Sequence, residues 1–249
     1  MGYKPKLRFK EFTEGWEEKE LGDISEITMG QSPSSKYYTE NHDDTILIQG
    51  NADLICGNVV PRIFTTEITK KSDPNDIIMT VRAPVGDLAI NKFKACIGRG
   101  VCAIKSHFFI YFFLQHFKLE NKWVKYSQGS TIDAVSSKDI KNLKIRIPSI
   151  KEQEKIAKFL SKVDEKIAIL ESKHQLWNSY KKGIMQQIFS QKLRFKDEKG
   201  NSYSDWEKKR LGEVGVIITG NTPSTKNKNN FANGKYIWVT PTDIGNSRI

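Results

Sequence analysis

Four histidines, His42, His107, His116 and His174, are the first candidates for metal or acid–base chemistry, and none has a partner at ligand spacing. An HExxH-type pair, which puts two imidazoles on one helical face, does not occur. Carboxylates and lysines meet in Glu17-Glu18-Lys19 and Asp164-Glu165-Lys166, runs that read as solvated faces rather than a converging nuclease centre. No P-loop is present. Asp73-Pro74-Asn75-Asp76 lacks the second proline and aromatic of an amino-methyltransferase motif and reads as a turn before a strand. No catalytic residue, metal ligand or cofactor is expected. The chemistry that remains is recognition through hydrogen bonds and charge.

The polar stretch Gln31, Ser34, Ser35 and Lys36 follows Gly30 in a small-residue loop; Gln pairs bidentately with adenine, while Ser and Lys suit phosphate. Within that loop Gly30 and Pro33 are expected to be structural. Arg82 and Arg99 either read guanine through O6 and N7 or form salt bridges inside the domain. Lys125, Ser127, Gln128, Ser130 and Thr131 make a second polar strip. A formal net charge of +11, spread along the chain without a polybasic tail, makes phosphate the natural partner.

These residues need a scaffold. Thr45–Gln49, Asp76–Val81, Leu88–Ile90, Gly100–Ile104 and Lys144–Ile147 are β-rich stretches bounded by Gly, Pro, Asn or Asp, so residues 1–150 read as a mixed α/β domain. Ser106 to Glu120 predicts a helix apolar on several faces, with Phe108, Phe109, Phe112 and Phe113 in the core rather than stacking on bases. Cys56, Cys96 and Cys102 are odd in number and lack CxxC spacing; they read as reduced, buried thiols of a cytoplasmic protein. The apolar run Phe108–Leu114 falls far short of the ~20 residues that span a bilayer, and no signal segment is visible, so no membrane partner is expected.

Residues 151–191 contain no proline and a single glycine, Gly183. Their apolar positions alternate in steps of four and three: Ile156, Leu160, Val163, Ile167, Leu170, Trp177, Ile184 and Ile188, with His174 as a partly solvated seam residue. That is a coiled-coil seam on a rod of roughly 60 Å. Ser149 and Glu152 are spaced as a capping box at its start.

Then the chain begins again. Leu7-Arg8-Phe9-Lys10, Trp16, Leu21-Gly22 and Gly30-Gln31-Ser32-Pro33-Ser34 return as Leu193-Arg194-Phe195-Lys196, Trp206, Leu211-Gly212 and Gly220-Asn221-Thr222-Pro223-Ser224. Residues 192–249 therefore read as the N-terminal part of a second copy, expected to be poorly ordered or to pack on a neighbouring surface.

Gln128-Gly129-Ser130-Thr131, Leu143–Pro148 and Glu152-Gln153-Glu154-Lys155-Ile156-Ala157, with Asp76-Ile77-Ile78, Arg82 and Gly86 before them, resemble the DNA-specificity subunits of type I restriction–modification systems. The resemblance covers the whole chain, and the Pro-x-x-x-Glu-Gln helix entry is its most specific part. It implies a target-recognition domain at 1–150, a spacer helix at 151–191 and the start of a second recognition domain. A complete member would continue through that domain and a second long helix packed antiparallel on the first. The resemblance also implies a non-catalytic subunit that reads double-stranded DNA, docks methyltransferase subunits and, through them, restriction subunits. With the intramolecular partner helix missing, a homodimer through the long helix is the simplest cover for the seam. Two other readings stand beside it: a self-contained restriction-type nuclease or methyltransferase, and a coiled-coil interaction protein without DNA function.

Overall fold

The computed structural model describes residues 3–126, 134–232, 234 and 237–244. Its contacts divide the chain into two compact units, Met1–Tyr180 and Lys181–Ile249.

In the first unit, strand Ile77–Thr80 is buried along its whole length because both of its faces are covered, which is why it reads as a continuous apolar run. It is central to a six-stranded sheet, paired antiparallel with Val101–Lys105 on one side and Leu88–Ile90 on the other. Glu26–Met29 lies outside Val101–Lys105, and the short strands Asn58–Val59 and Leu54–Ile55 complete the opposite edge. A second, five-stranded sheet runs Tyr38–Thr39, Phe64–Thr65, Thr45–Ile48, Ala95–Ile97, Lys71–Ser72. The period-two alternation of side chains sorts the core into two layers. Ile78, Val101 and Ala103 join Ile48, Ala95 and Ile97 in one cluster. Ile77, Met79, Cys102 and Ile104 face Ile110, Leu114 and Phe117 of the helix Phe108–Leu119 in the other.

The turn before the central strand forms as expected, with Asn75 in the left-handed region at φ 75°. Asp76 accepts the Asp73 N–H at 2.8 Å, and buried Asn91 donates to the carbonyls of Asp73 and Phe93. The strand Lys144–Ile147 pairs antiparallel with Glu17–Glu20 in a separate two-stranded sheet, and the Glu17-Glu18-Lys19 run is solvent-exposed.

Two expectations are corrected here. Phe108 is half in solvent, stacked on Tyr111 at 5.1 Å, whereas Phe109 is buried and Phe112 and Phe113 are half-buried. Cys56 is exposed in a left-handed turn ahead of Gly57, while Cys96 and Cys102 are buried. Burial pushes the Cys102 thiol up to about 12, so it is inert at neutral pH.

The long helix spans Ile150–Phe189, forty residues. Its seam residues Val163, Ile167, Leu170 and Trp177 are exposed, as an uncovered seam must be. His174 shares a hydrogen bond of 3.3 Å with Asn178 one turn on. The capping box does not form as expected: Glu152 is turned to Arg8 instead, and Gln153 donates its side-chain amide to the Pro148 carbonyl at 2.9 Å. No helix of the described residues is long and apolar enough to cross a membrane.

In the second unit, Leu211–Val214 repeats the short helix Leu21–Ile24, and Asp243 accepts the Thr240 N–H at 2.7 Å as Asp53 accepts that of Gly50. Burial does not repeat. Leu21 is 0% exposed and Leu47 1%, while their counterparts Leu211 and Ile237 are 71% and 92% exposed. In the first copy the strands and helix of 77–119 supply the cover.

Candidate nucleic-acid interface

The loop after strand Glu26–Met29 is held by backbone contacts that only small residues permit. Gly30 donates to the Val101 carbonyl at 3.0 Å, and a Cβ on it would lie 2.1 Å from the Gly98 carbonyl oxygen. Pro33 is buried. Both residues are structural, as their recurrence in the second copy implied. Gln31 donates its N–H to Ile97 at 2.9 Å and accepts from the Thr69 hydroxyl through its carbonyl, which leaves its side chain exposed.

Arg99 sits at the tip of the neighbouring turn. Its N–H donates to the Ser32 hydroxyl at 3.1 Å, so the arginine and the Gln31 loop are tied together. Next to it, Gly100 accepts from the Val81 N–H at 2.9 Å and would clash with the Gln49 carbonyl, at 2.1 Å, if it carried a Cβ. Val81 therefore brings Arg82 beside the Arg99 turn. The Arg82 segment is closed by a bridge to Ala134 and by Val135, which donates to the Val81 carbonyl at 2.9 Å. Its far end, Gly86, packs under the buried indole of Trp123, in the short helix Lys122–Tyr126 that presents Lys125. The loops that carry Gln31, Arg82 and Arg99 thus share one edge of the domain.

Arg82, Arg99 and Lys125 are exposed, and among the described residues none of the three has an ion-pair partner. The salt-bridge reading of the two arginines finds no acceptor among the described residues. Ser34 and Ser35 are exposed; the Ser34 N–H donates to Glu67 at 3.2 Å, and the Lys36 ammonium lies 4.7 Å over the Tyr37 ring. Ser127, Gln128, Ser130 and Thr131 lie outside the described residues. Behind the edge, Asp53 is buried and accepts the Gln49 and Gly50 N–H groups while facing Arg62 at 3.7 Å. It organises the Gln49–Asp53 turn on which Gly100 rests. Among the described residues no group of three or more His, Cys, Asp or Glu is placed to hold a metal ion.

Sequence reasoning missed the root of the long helix. Arg8 donates two hydrogen bonds to Glu152, 2.7 Å from Nε and 2.6 Å from the second guanidinium nitrogen, and the Trp16 indole donates to the same carboxylate at 3.4 Å. The hydrogen bond with Glu152 raises the Arg8 pKa above its ordinary value. Around the pair, Leu7, Phe9, Trp16, Ile156, Phe159 and Leu160 line an apolar groove of about 340 Å³. Ile156 and Leu160, the first two seam positions, are thus partly covered by the chain's own N-terminal segment. The signal was in view: Leu-Arg-Phe-Lys and a following tryptophan occur twice.

Comparison with known proteins matches this architecture. The family model described as type I restriction modification DNA specificity domain matches residues 13–176 and again 203–249. The protein assigned as the specificity subunit of the type I restriction enzyme MjaX of Methanocaldococcus jannaschii is 36% identical over 201 residues, 77% of this chain and 46% of its own length. The MjaIX specificity subunit of the same organism is 26% identical over 249 residues, 90% of this chain and 57% of its own. Among solved structures, a chain of a type I R-M system is similar at TM-score 0.61 and 29% identity, covering 72% of this chain and 46% of that one. The HsdS subunit from Thermoanaerobacter tengcongensis matches at TM-score 0.55 and 29% identity, over 65% of this chain and 40% of that one. The chain spans about half the length of the relatives it matches. With the family model covering both copies of the repeat, this chain belongs to the type I restriction modification DNA specificity domain family.

Proposed function

We propose that this chain recognises double-stranded DNA as a specificity subunit of a type I restriction–modification complex and performs no catalysis itself. The observation that carries the reading is the shared edge on which Gln31, Arg99 and Arg82 stand exposed, the two arginines without ion-pair partners among the described residues. Planar, unpaired guanidinium groups beside a Gln and small hydroxyl residues are what base edges and phosphates require. Residues 1–150 form the reader and 151–191 the spacer; 192–249 open a second reader. Ser127, Gln128, Ser130 and Thr131 are read as further DNA contacts. The spacer also docks methyltransferase subunits, and restriction subunits join through them in the cytoplasm.

The test is duplex binding by the purified chain at increasing salt. Binding should be weak alone, and log K should fall linearly with log salt as phosphate counterions are released. A coiled-coil protein without DNA function gives no such slope, and that result overturns the reading.

The exposed seam from Val163 to Trp177 favours pairing of two copies through their long helices. An antiparallel two-fold pair places identical readers at opposite ends, so the half-sites would be inverted copies of one another. Analytical sedimentation at tens of micromolar should show a dimer. A strict monomer with the helix intact rejects self-pairing and leaves a methyltransferase subunit as the cover.

A further inference from the structure

The Arg8–Glu152 pair joins residues 144 apart, Arg8 12% and Glu152 1% exposed by side chain, at the point where the long helix leaves the domain. A carboxylate so deeply buried is held by its partners: the two-pronged guanidinium and the indole N–H of Trp16. Such a pair is directional, because both forks align only in one orientation of the helix. Trp16 is itself anchored to the domain, edge-on to buried Phe109 at 6.0 Å, and donates its own N–H to the Tyr3 carbonyl at 2.8 Å. Further along the helix, Phe9 meets Phe159 edge-on at 6.1 Å, and Lys155 pairs with Glu11 while lying 4.9 Å over the Phe9 ring. Successive helical turns are therefore tied to one N-terminal segment.

In the second copy the same motif is present with a different acceptor. Arg194 donates to Asp205 at 2.9 Å and to the Tyr203 carbonyl at 3.0 Å, and Phe195 is largely exposed. The arginine's donors thus bind within their own loop in that copy, whereas Arg8 reaches across to a helix.

We propose that Arg8, Trp16 and Glu152 form a clamp that sets the angle at which the long helix leaves the recognition domain, making Arg8 and Glu152 positioning residues for where the reading edge is held. The functional half of this inference rests on the DNA-reading proposal; the mechanical half does not. Replacing both charged partners by residues of similar length removes direction while keeping volume, and such apolar replacement of a buried pair preserves folding.

The test is a distance measurement by pulsed electron spin resonance on the full chain, diluted with unlabelled protein. Spin labels go at Lys94→Cys and Ser172→Cys in a Cys56→Ser background, all three positions being exposed. The wild type should give one narrow distribution. Arg8→Ala and Glu152→Gln should broaden it at least twofold, Arg8→Lys, which keeps the charge but loses the fork, should fall between, and Arg8→Met/Glu152→Met should broaden it with the melting transition retained. If the single variants unfold, the double-methionine variant decides. A narrow, unshifted distribution there means that apolar packing sets the angle, and the clamp is overturned. Duplex binding by the single chain should stay within twofold of wild type in the double variant. A binding loss with an intact distribution makes Arg8 a DNA contact and also rejects the clamp. Absence of duplex binding in the wild type instead rejects the reading proposal and leaves the distance result standing.

Discussion

Alanine at Arg99 is expected to weaken specific DNA binding roughly 5- to 150-fold and to relax selectivity at one base pair, the effect of losing one bidentate contact of about 1–3 kcal/mol. Arg82→Ala should do the same at a neighbouring position, since the two arginines sit on turns joined by the Val81–Gly100 hydrogen bond. Lys125→Ala should act differently, weakening all sequences alike and lowering the salt slope by about 1, as a phosphate contact does. All three side chains are exposed and have no ion-pair partner among the described residues, so the melting temperature should hold. Fluorescence anisotropy with target and scrambled duplexes, using the chain assembled with the proposed methyltransferase subunit, separates these patterns. Unchanged affinity and selectivity in all three variants would place the reading surface elsewhere.

Gly100→Ala is expected to be the most damaging single-methyl change in the domain. The added Cβ meets the Gln49 carbonyl oxygen at 2.1 Å, and both groups are backbone, so no rotamer can relieve the clash. A loss of about 3 kcal/mol is expected, near the upper end for a point change, lowering the transition by about 6–12 °C. Gly30→Ala should behave alike, because its Cβ meets the Gly98 carbonyl oxygen at the same distance. Both changes should also disturb DNA binding, since the turns they separate carry Gln31 and Arg99. Gly183→Ala is the control: nothing lies within 4 Å of its Cβ and it stands inside the long helix, so it should stabilise by roughly 0.5–1 kcal/mol. Calorimetry of the three variants checks the order. A Gly100→Ala protein melting with wild type would contradict the packing of the two turns.

The control and the damaged variant differ in what local sequence can reveal. Gly183 sits in a segment whose periodicity alone specified a helix, and the observed bounds, Ile150–Phe189, fall within two residues of the reading. The strands Thr45–Ile48, Ile77–Thr80, Leu88–Ile90, Val101–Lys105 and Lys144–Ile147 were legible in the same way, because apolar runs between Gly, Pro, Asn and Asp reflect local burial and turn chemistry, whereas Glu26–Met29 and Ala95–Ile97 were not read. The repeat was legible because it needs only comparison of the chain with itself. The two faces of Ile77–Thr80 were not, since a strand buried on both sides hides its period.

Whether Arg82 and Arg99 were readers or salt-bridge partners stayed open in the sequence, because the answer depends on which acids lie near them in space. Strand order supplies the juxtaposition: pairing of Val101–Lys105 with both Ile77–Thr80 and Glu26–Met29 brings three loop ends to one edge. Phe108 and Phe109 are identical in type and adjacent, yet only one is buried, because the helix presents them at different angles to the sheet. Glu152 had the spacing of a capping residue, and a charged donor to its carboxylate existed only once Arg8 had been folded against it. By itself, then, the sequence determined the two longest helices, the five strands named above, the repeat and the heptad seam. Tertiary structure alone decided which loops share one edge of the domain and what holds the helix root. Those depend on contacts between residues up to 144 positions apart, and such contacts leave no periodic trace in the chain.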